Sequence, residues 1–274
     1  MSDLAVPELL AAYDAQLRGR VPDPLPAGVT VERDGPLLRI FGLLGPHGGG
    51  FLGYRDLGGL AGGALDELIA RQVRIFERRG EQVEWKLHGH DRPADLPQRL
   101  RGAGFAPEEE ETVVVAPVQA LAGRPLLPEG VRLRQVTGRA DLGRIAALED
   151  AVWGGDHSSL ADGLEAELAA GPDALAIVVA EAGPTVVCAG WVRFERGTDF
   201  ATLWGGATLP GWRGRGLYRA TLAHRASLAA GRGLRFLQVD ASDESRPILE
   251  RAGFVAVTTT TPYVWSPPTL PVGT

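Results

Sequence analysis

The chain has 274 residues, enough for one large domain or two ordinary ones, and its 45% hydrophobic and 23% charged residues are the proportions of a globular protein. A net charge of −6 argues against a broad electrostatic grip on nucleic acid or on an anionic membrane. Cys188 is the single cysteine, so no intrachain disulfide can form, and inside Val186-Val-Cys-Ala-Gly-Trp191 it reads as a small core residue.

The stretch Met1 to Leu10 carries acidic residues and lacks the basic start of a signal peptide, and no apolar run reaches the roughly 20 residues that span a bilayer. A cytoplasmic location is expected. Val6 to Arg18 predicts a helix, closed by the Pro/Gly-rich stretch 21–28. Two or three strands are expected between Val29 and Leu57, then a glycine-rich stretch, Asp56-Leu-Gly-Gly-Leu-Ala-Gly-Gly-Ala64. In the helix Ala64 to Arg79, residues Leu65, Leu68, Ile69, Val73 and Phe76 share one face. A strand, Gln82 to His88, leads into His88-Gly-His90-Asp91. With no cysteine or second spaced histidine pair nearby, a solvated loop is preferred there over a metal site. A helix, Leu100-Arg-Gly-Ala-Gly-Phe105 and a strand Glu111 to Val115 complete this half. The Pro/Gly-rich stretch 116–130 is the candidate linker.

After the linker, Val131 to Val136 alternates as a half-buried strand, and helices are expected over Arg139 to Trp153 and Leu160 to Ala170. Strands Ala174 to Glu181, Thr185 to Phe194 and Phe200 to Thr208 form a meander around two turns. A loop, a helix from Leu217 to Ala230, a strand Arg235 to Asp240, a helix Glu244 to Arg251 and a strand from Phe254 to about Trp265 follow. The order β-α-α-β-β-β-α-β-α-β is an α/β arrangement with a mixed sheet. The first half repeats part of it, down to the Ala-Gly-Phe at 103–105 and 252–254, which indicates an internal duplication.

The loop Thr208-Leu-Pro-Gly-Trp-Arg-Gly-Arg-Gly-Leu-Tyr218, lying between a strand and a helix, suits a polyphosphate. Its glycines let backbone N–H groups converge, the helix start adds partial positive charge, and Arg213 and Arg215 add whole charges. Ordinary surface arginines, or a dinucleotide-binding turn begun by Gly214-x-Gly216, are the alternatives; the latter lacks a third glycine, having Arg219 instead. His157, in Gly154-Gly-Asp-His-Ser-Ser159, is a candidate general base in a segment that otherwise caps a helix through Ser158 or Ser159. Asp240 ends a strand and is a candidate to orient or deprotonate an amine, or a carboxylate in water. Trp191 and Trp204 read as core residues, or as the frame of an apolar acceptor pocket.

Two stretches resemble the GCN5-related N-acetyltransferase (GNAT) superfamily. One is Arg213-Gly-Arg-Gly216 after a strand; the other is Leu237-Gln-Val-Asp240 with Ser242-Asp-Glu-Ser-Arg-Pro-Ile-Leu-Glu-Arg-Ala-Gly-Phe254. The resemblance implies two tandem GNAT-like domains, each a mixed twisted sheet flanked by helices, with a partial, degenerate N-terminal copy. Residues 1–120 would form that copy, 121–130 the linker, 131–266 the acyl-CoA-binding domain and 267–274 a tail. It further implies acetyl-CoA, or another acyl-CoA, as cosubstrate, with no metal, and direct acetyl transfer to a primary amine of a small molecule or peptide. The N–H groups of Gly214, Arg215, Gly216 and Leu217 would bind the CoA pyrophosphate, beside Arg213 and Tyr218. Ala207 and Thr208 would pair with the pantetheine arm, and Ser242 would stand near the cofactor. The chain departs from the pattern at Tyr218, where the family has Gly or Ala, and at Leu249, where it commonly has a tyrosine acid. The strand Phe200 to Thr208 also lacks the usual glutamate base. A non-catalytic acyl-CoA sensor is therefore the alternative, and aminoacyl transfer from charged tRNA is disfavoured by the acidic net charge. The first copy's glycine-rich stretch has no arginine and is expected to bind CoA poorly or not at all.

Overall fold

The computed structural model describes residues 5–43 and 49–268; the first four residues, and all but the start of the expected tail 267–274, lie outside the described residues. In chain order the first elements are α1 (Val6–Gln16), β1 (Thr30–Asp34), β2 (Leu37–Leu43), β3 (Gly49–Gly53), α2 (Gly62–Arg79), β4 (Val83–His88), α3 (Leu96–Gly102) and β5 (Ala106–Pro107). Then come β6 (Glu111–Pro117), α4 (Val118–Leu121), β7 (Val131–Val136), α5 (Arg139–Trp153), α6 (Ser158–Ala170), β8 (Leu175–Ala182), β9 (Thr185–Phe194) and β10 (Phe200–Thr208). The chain closes with α7 (Leu217–Gly231), β11 (Phe236–Ala241), α8 (Arg246–Ala252) and β12 (Val255–Trp265). The short helix α4 occupies the start of the stretch expected to be linker; its first residue, Val118, is fully buried, which anchors it.

The described residues form two compact units, one of 13–21, 28–43, 49–111 and 258–268, the other of 5–12, 22–27 and 112–257. In the smaller unit, β1, β2 and β3 form an antiparallel meander, β3 runs parallel to β4, and β12 pairs antiparallel with β4 over Thr260–Trp265. The apolar stripe of α2 (Leu65, Leu68, Ile69, Phe76) is buried with Trp85, Phe105, Tyr263 and Trp265.

In the larger unit the strand order is β6-β11-β10-β9-β8-β7, antiparallel except for the parallel pair β10/β11. A parallel pair needs a crossover connection, and α7 supplies it here as α2 does between β3 and β4. Period-2 alternation splits the strand residues between two helical layers. Ile177, Val179, Ala189 and Trp191 pack under α5 and α6, whereas Ala176, Val192, Leu203 and Leu237 pack under α7 and α8.

The sequence repeat is present as β3-α2-β4-α3 and β10-α7-β11-α8, but its halves do not close on themselves. The strand after the first Ala-Gly-Phe, β6, pairs with β11, and the strand after the second, β12, pairs with β4. The compact units therefore do not coincide with residues 1–120 and 131–266, because each repeat gives its closing strand to the other's sheet. Alternation dictates that a stretch is a strand and which face it buries, but not which neighbour it takes.

Candidate functional site

The loop after β10 makes a single 3₁₀ turn, Pro210–Trp212, and then winds through Gly214 (φ 73°) and Gly216 (φ 79°) into α7. Every non-glycine residue described has negative φ, so signs alternate along Arg213-Gly-Arg-Gly216 and the N–H groups turn to one side, a nest for an anion. The N–H groups from Gly214 to Tyr218 donate to no backbone carbonyl among the described residues, and α7 has no side-chain cap. Leu217, 1% exposed, is pinned among Ala180, Val187 and Cys188 and fixes the helix start. Arg213 donates through Nε to the Thr208 carbonyl at 3.2 Å, and the Arg215 guanidinium lies over the Trp212 ring, 4.8 Å from its centroid. Both arginines are exposed.

Beside this loop a cleft of about 280 Å³ opens between α7 and α8, lined by Tyr218, Arg219, Leu222, Ile248, Arg251 and Ala252. Arg213, Arg215, Arg219 and Arg251 form no ion pair with a carboxylate among the described residues. Elsewhere the arginines are commonly paired, as Arg134 and Arg144 are with Asp141 and Glu181. Arg213, Arg215 and Arg219, around the start of α7 and without counterions among the described residues, favour a bound polyanion.

The sheet opens next to the cleft. The parallel pairing of β10 with β11 is confined to Phe200–Thr202 against Phe236–Gln238, although both strands continue. Past that point β10 bulges, its register with β9 shifting between Gly205 and Thr208. Gly205 and Gly206 sit in the bulge with φ of 67° and 104°, and a Cβ on Gly205 would run into the Trp191 ring. Arg225 of α7, fully buried, joins β9 and β10 just before the bulge, its Nη1 donating at 3.2 Å to the carbonyls of Trp191 and Trp204. The result is a length of strand backbone turned away from β11.

Gln238 and Asp240 alternate with Leu237, Val239 and Ala241, which pack under α7 and α8, so the two polar residues share the opposite face. Trp204 is on that face with its cross-strand partner Trp191; Trp204 is 43% exposed, with the Arg193 guanidinium 4.5 Å from its ring centroid. Trp191 is buried, as a core residue should be. The Asp240 carboxylate accepts from the Gln238 amide at 2.7 Å. His157 leads into α6, in the helical layer on this same face, with Nδ1 2.9 Å from the Asp150 carboxylate. The expected capping by Ser158 or Ser159 is replaced: Asp156 accepts the Ser158 N–H, and His157 holds the cap position. Ser242 makes the turn into α8, its carbonyl taking the Arg246 N–H at 2.9 Å.

The sequence matches no family model and no curated protein. Solved structures match along its whole length. A GCN5-related N-acetyltransferase from Kribbella flavida superposes with a TM-score of 0.65 and 14% identity, covering 98% of this chain and 97% of its own. A tandem GNAT protein from the clavulanic acid biosynthesis pathway gives 0.64 at 14% identity, over 97% of this chain and 96% of its own. A GCN5-related N-acetyltransferase from Sphaerobacter thermophilus gives 0.59 at 14% identity, over 98% and 88%. The chain has the tandem GNAT fold.

Within the second GNAT copy, Thr208, Arg213, Gly214, Arg215, Gly216, Leu217 and Tyr218 gather at the head of α7, and Ala207 lies in the bulge with its side chain turned to the α5/α6 layer. Leu249 is fully buried, and α8 carries no hydroxyl, so it presents Ile248 and Ala252 to the cleft instead of an acid. Sequence reasoning missed Arg219 and Arg251. It also missed Glu149, a buried carboxyl of α5 whose proton burial makes harder to release. Glu149 lies seven residues after Leu142 and four after Ile145, on the stripe of α5 that faces the core, so the spacing carried a signal.

In the first GNAT copy, in the loop between β3 and α2, the Asp56 carboxylate takes the Gly58 N–H at 2.8 Å. The solvated loop expected at His88 to Asp91 is instead a packed network. Asp91 accepts from Arg18 at 2.5 Å, from the Tyr54 hydroxyl at 2.6 Å and from the His88 N–H at 2.8 Å. His90 lies 3.0 Å from Asp14 and 2.8 Å from the Thr258 hydroxyl. Burial and the nearby Arg18 charge hold His88 neutral, with its pKa pushed down to about 2. No helix among the described residues is long and apolar enough to cross a membrane.

Proposed function

We propose that the chain is an N-acetyltransferase that moves an acetyl group from acetyl-CoA to a primary amine of a small molecule or peptide. One observation carries this reading: an uncapped nest of N–H groups with Arg213 and Arg215 heads α7 beside a cleft lined by Arg219 and Arg251, and none of the four arginines meets a carboxylate among the described residues. The nest and Arg213 and Arg215 would hold the CoA pyrophosphate, and the pantetheine arm would lie along the strand edge at Gly205 to Thr208, pairing with it as an added strand. The acceptor amine would come from the opposite face, where Trp204, Asp240 and His157 lie. Cofactor and acceptor then meet across the gap between β10 and β11.

The chemistry is direct transfer. The neutral amine nitrogen forms a bond to the thioester carbonyl carbon, the C–S bond breaks, the amine proton passes to a base or to water, and the CoA thiolate is protonated. A bulge N–H near Gly206 would stabilise the oxyanion. Asp240 and His157 are the candidate proton acceptors, and no covalent enzyme intermediate is required. The lone thiol, Cys188, is buried and its pKa is pushed up by that burial, which suits it to the core.

Acetyl-CoA is expected to raise the melting temperature, and the double variant Arg213→Ala/Arg215→Ala is expected to abolish the rise. Charge-assisted hydrogen bonds contribute about 1.5–3 kcal/mol each, so losing two predicts a Kd roughly a hundredfold weaker or more. An undiminished shift in the double variant would remove this assignment. The buried Leu249 and the absence of glutamate from β10 favour a second reading, a non-catalytic acyl-CoA sensor. Thiol release from acetyl-CoA over a panel of amines separates the two, since a sensor binds without turnover on any of them.

A further inference from the structure

Tyr218 is the second residue of α7, and its ring turns inward to the sheet. It is half-buried, it lines the cleft with Leu222, Ile248 and Ala252, and it packs against the core that includes Leu203 and Leu237. Its contact with the strand is close: a Cβ on Gly206 would lie 2.8 Å from Cε2 of the ring and 3.6 Å from Cδ2. Trp191 presses on Gly205 from the other face. The bulge is therefore clamped between two aromatic rings, and glycine at 205 and 206 makes room for both. The backbone of Tyr218 has little freedom to withdraw, because Leu217 before it is pinned in its apolar cluster and Tyr218's own carbonyl takes the Thr221 hydroxyl at 2.9 Å. The ring can leave the strand only by turning about its side-chain bonds, into the cleft or out of it.

We propose that Tyr218 sets how far the thioester arm of an acyl-CoA can enter. Its ring stands over Gly206 on the side of the cleft, so the nucleotide half of the cofactor meets an open site while the arm must displace the ring. This rests on the acyl-CoA reading above and deepens it. Displacing the ring loses its contacts with Gly206 and the core and offsets what the arm gains by pairing with β10. Long acyl chains, which need the most room beyond the ring, are excluded first.

Binding measured by calorimetry needs no knowledge of the acceptor. Adenosine 3′,5′-diphosphate, CoA, acetyl-CoA and hexanoyl-CoA are titrated into the wild-type chain and into Tyr218→Ala and Tyr218→Phe. Tyr218→Ala is expected to tighten CoA and acetyl-CoA at least tenfold and hexanoyl-CoA more, while the nucleotide shifts by less than twofold and so reports an intact fold. Tyr218→Phe keeps the ring and is expected to match the wild type. Unchanged or weaker CoA binding in Tyr218→Ala, with normal nucleotide binding, overturns the proposal and leaves the cofactor reading standing. Failure of the wild type to bind both nucleotide and CoA overturns the cofactor reading and the proposal with it. If Tyr218→Ala loses nucleotide binding through misfolding, Tyr218→Leu takes its place, with the same tightening expected and the same overturning result.

Discussion

Arg225 brings a guanidinium into the protein, 0% exposed, with no carboxylate to meet it among the described residues. Three backbone carbonyls do so instead, those of Thr221, Trp191 and Trp204, each at 3.2 Å, while Nη2 finds no partner. Burial pushes its pKa down, though a guanidinium has far to fall before it loses its proton. The residue is a clasp for the bulge in β10. Arg225→Leu strands the Trp191 and Trp204 carbonyls at about 1–3 kcal/mol each. The variant should melt lower and bind acetyl-CoA more weakly, as measured by thermal denaturation and calorimetry. Normal binding by a folded Arg225→Leu chain would show that the bulge holds without the clasp. His88 makes a different prediction. Its native pKa is about 2, against an ordinary value near 6.5, so between these limits the unfolded chain binds more protons than the folded one. Stability should fall as pH drops below about 6.5. In His88→Gln, which cannot titrate, melts taken from pH 7.5 to 5 should show a shallower decline. An equal slope would mean that His88 does not govern this range.

At the scale of elements, what was legible was what is local. Leucines and valines at helical spacing marked α2 and α5, alternation marked β7, and the glycines and arginines of one short loop marked the anion nest, because a nest is made of consecutive residues. The rest of the site depends on packing. Arg219 and Arg251 stand on different helices and share a cleft only because α7 and α8 lie side by side. Nor is the parting of β10 from β11 written in either strand: it follows from Gly205 and Gly206 yielding to Trp191 and Tyr218, residues 14 positions before Gly205 and 12 after Gly206. Arg225 was open to inference, being four residues from both Thr221 and Ala229 on the buried stripe of α7, yet a charge there reads as solvent-facing until the carbonyls it serves are known.

At the scale of the molecule, the two repeats are linked by more than the chain between them. Tyr263 and Trp265 of β12, 3% and 7% exposed, belong to the core that α2 and β4 build, and β6 completes the strand order beside β11. Cutting at the expected linker would leave residues 1–120 without β12 and residues 131–274 without β6. Truncating a buried aromatic costs about 3–5 kcal/mol, and losing two approaches the whole stability of an ordinary domain, about 5–15 kcal/mol. Residues 1–120 alone should therefore show no cooperative melt, and residues 131–274 should expose the β11 edge that β6 normally covers. Produced together, the fragments should recover a cooperative transition and acetyl-CoA binding, since each supplies the strand the other lacks. Independent folding of residues 1–120, read by circular dichroism and a sharp thermal transition, would show that the exchanged strands are dispensable. Recovery only in the mixture would show that each repeat needs the strand it receives from the other.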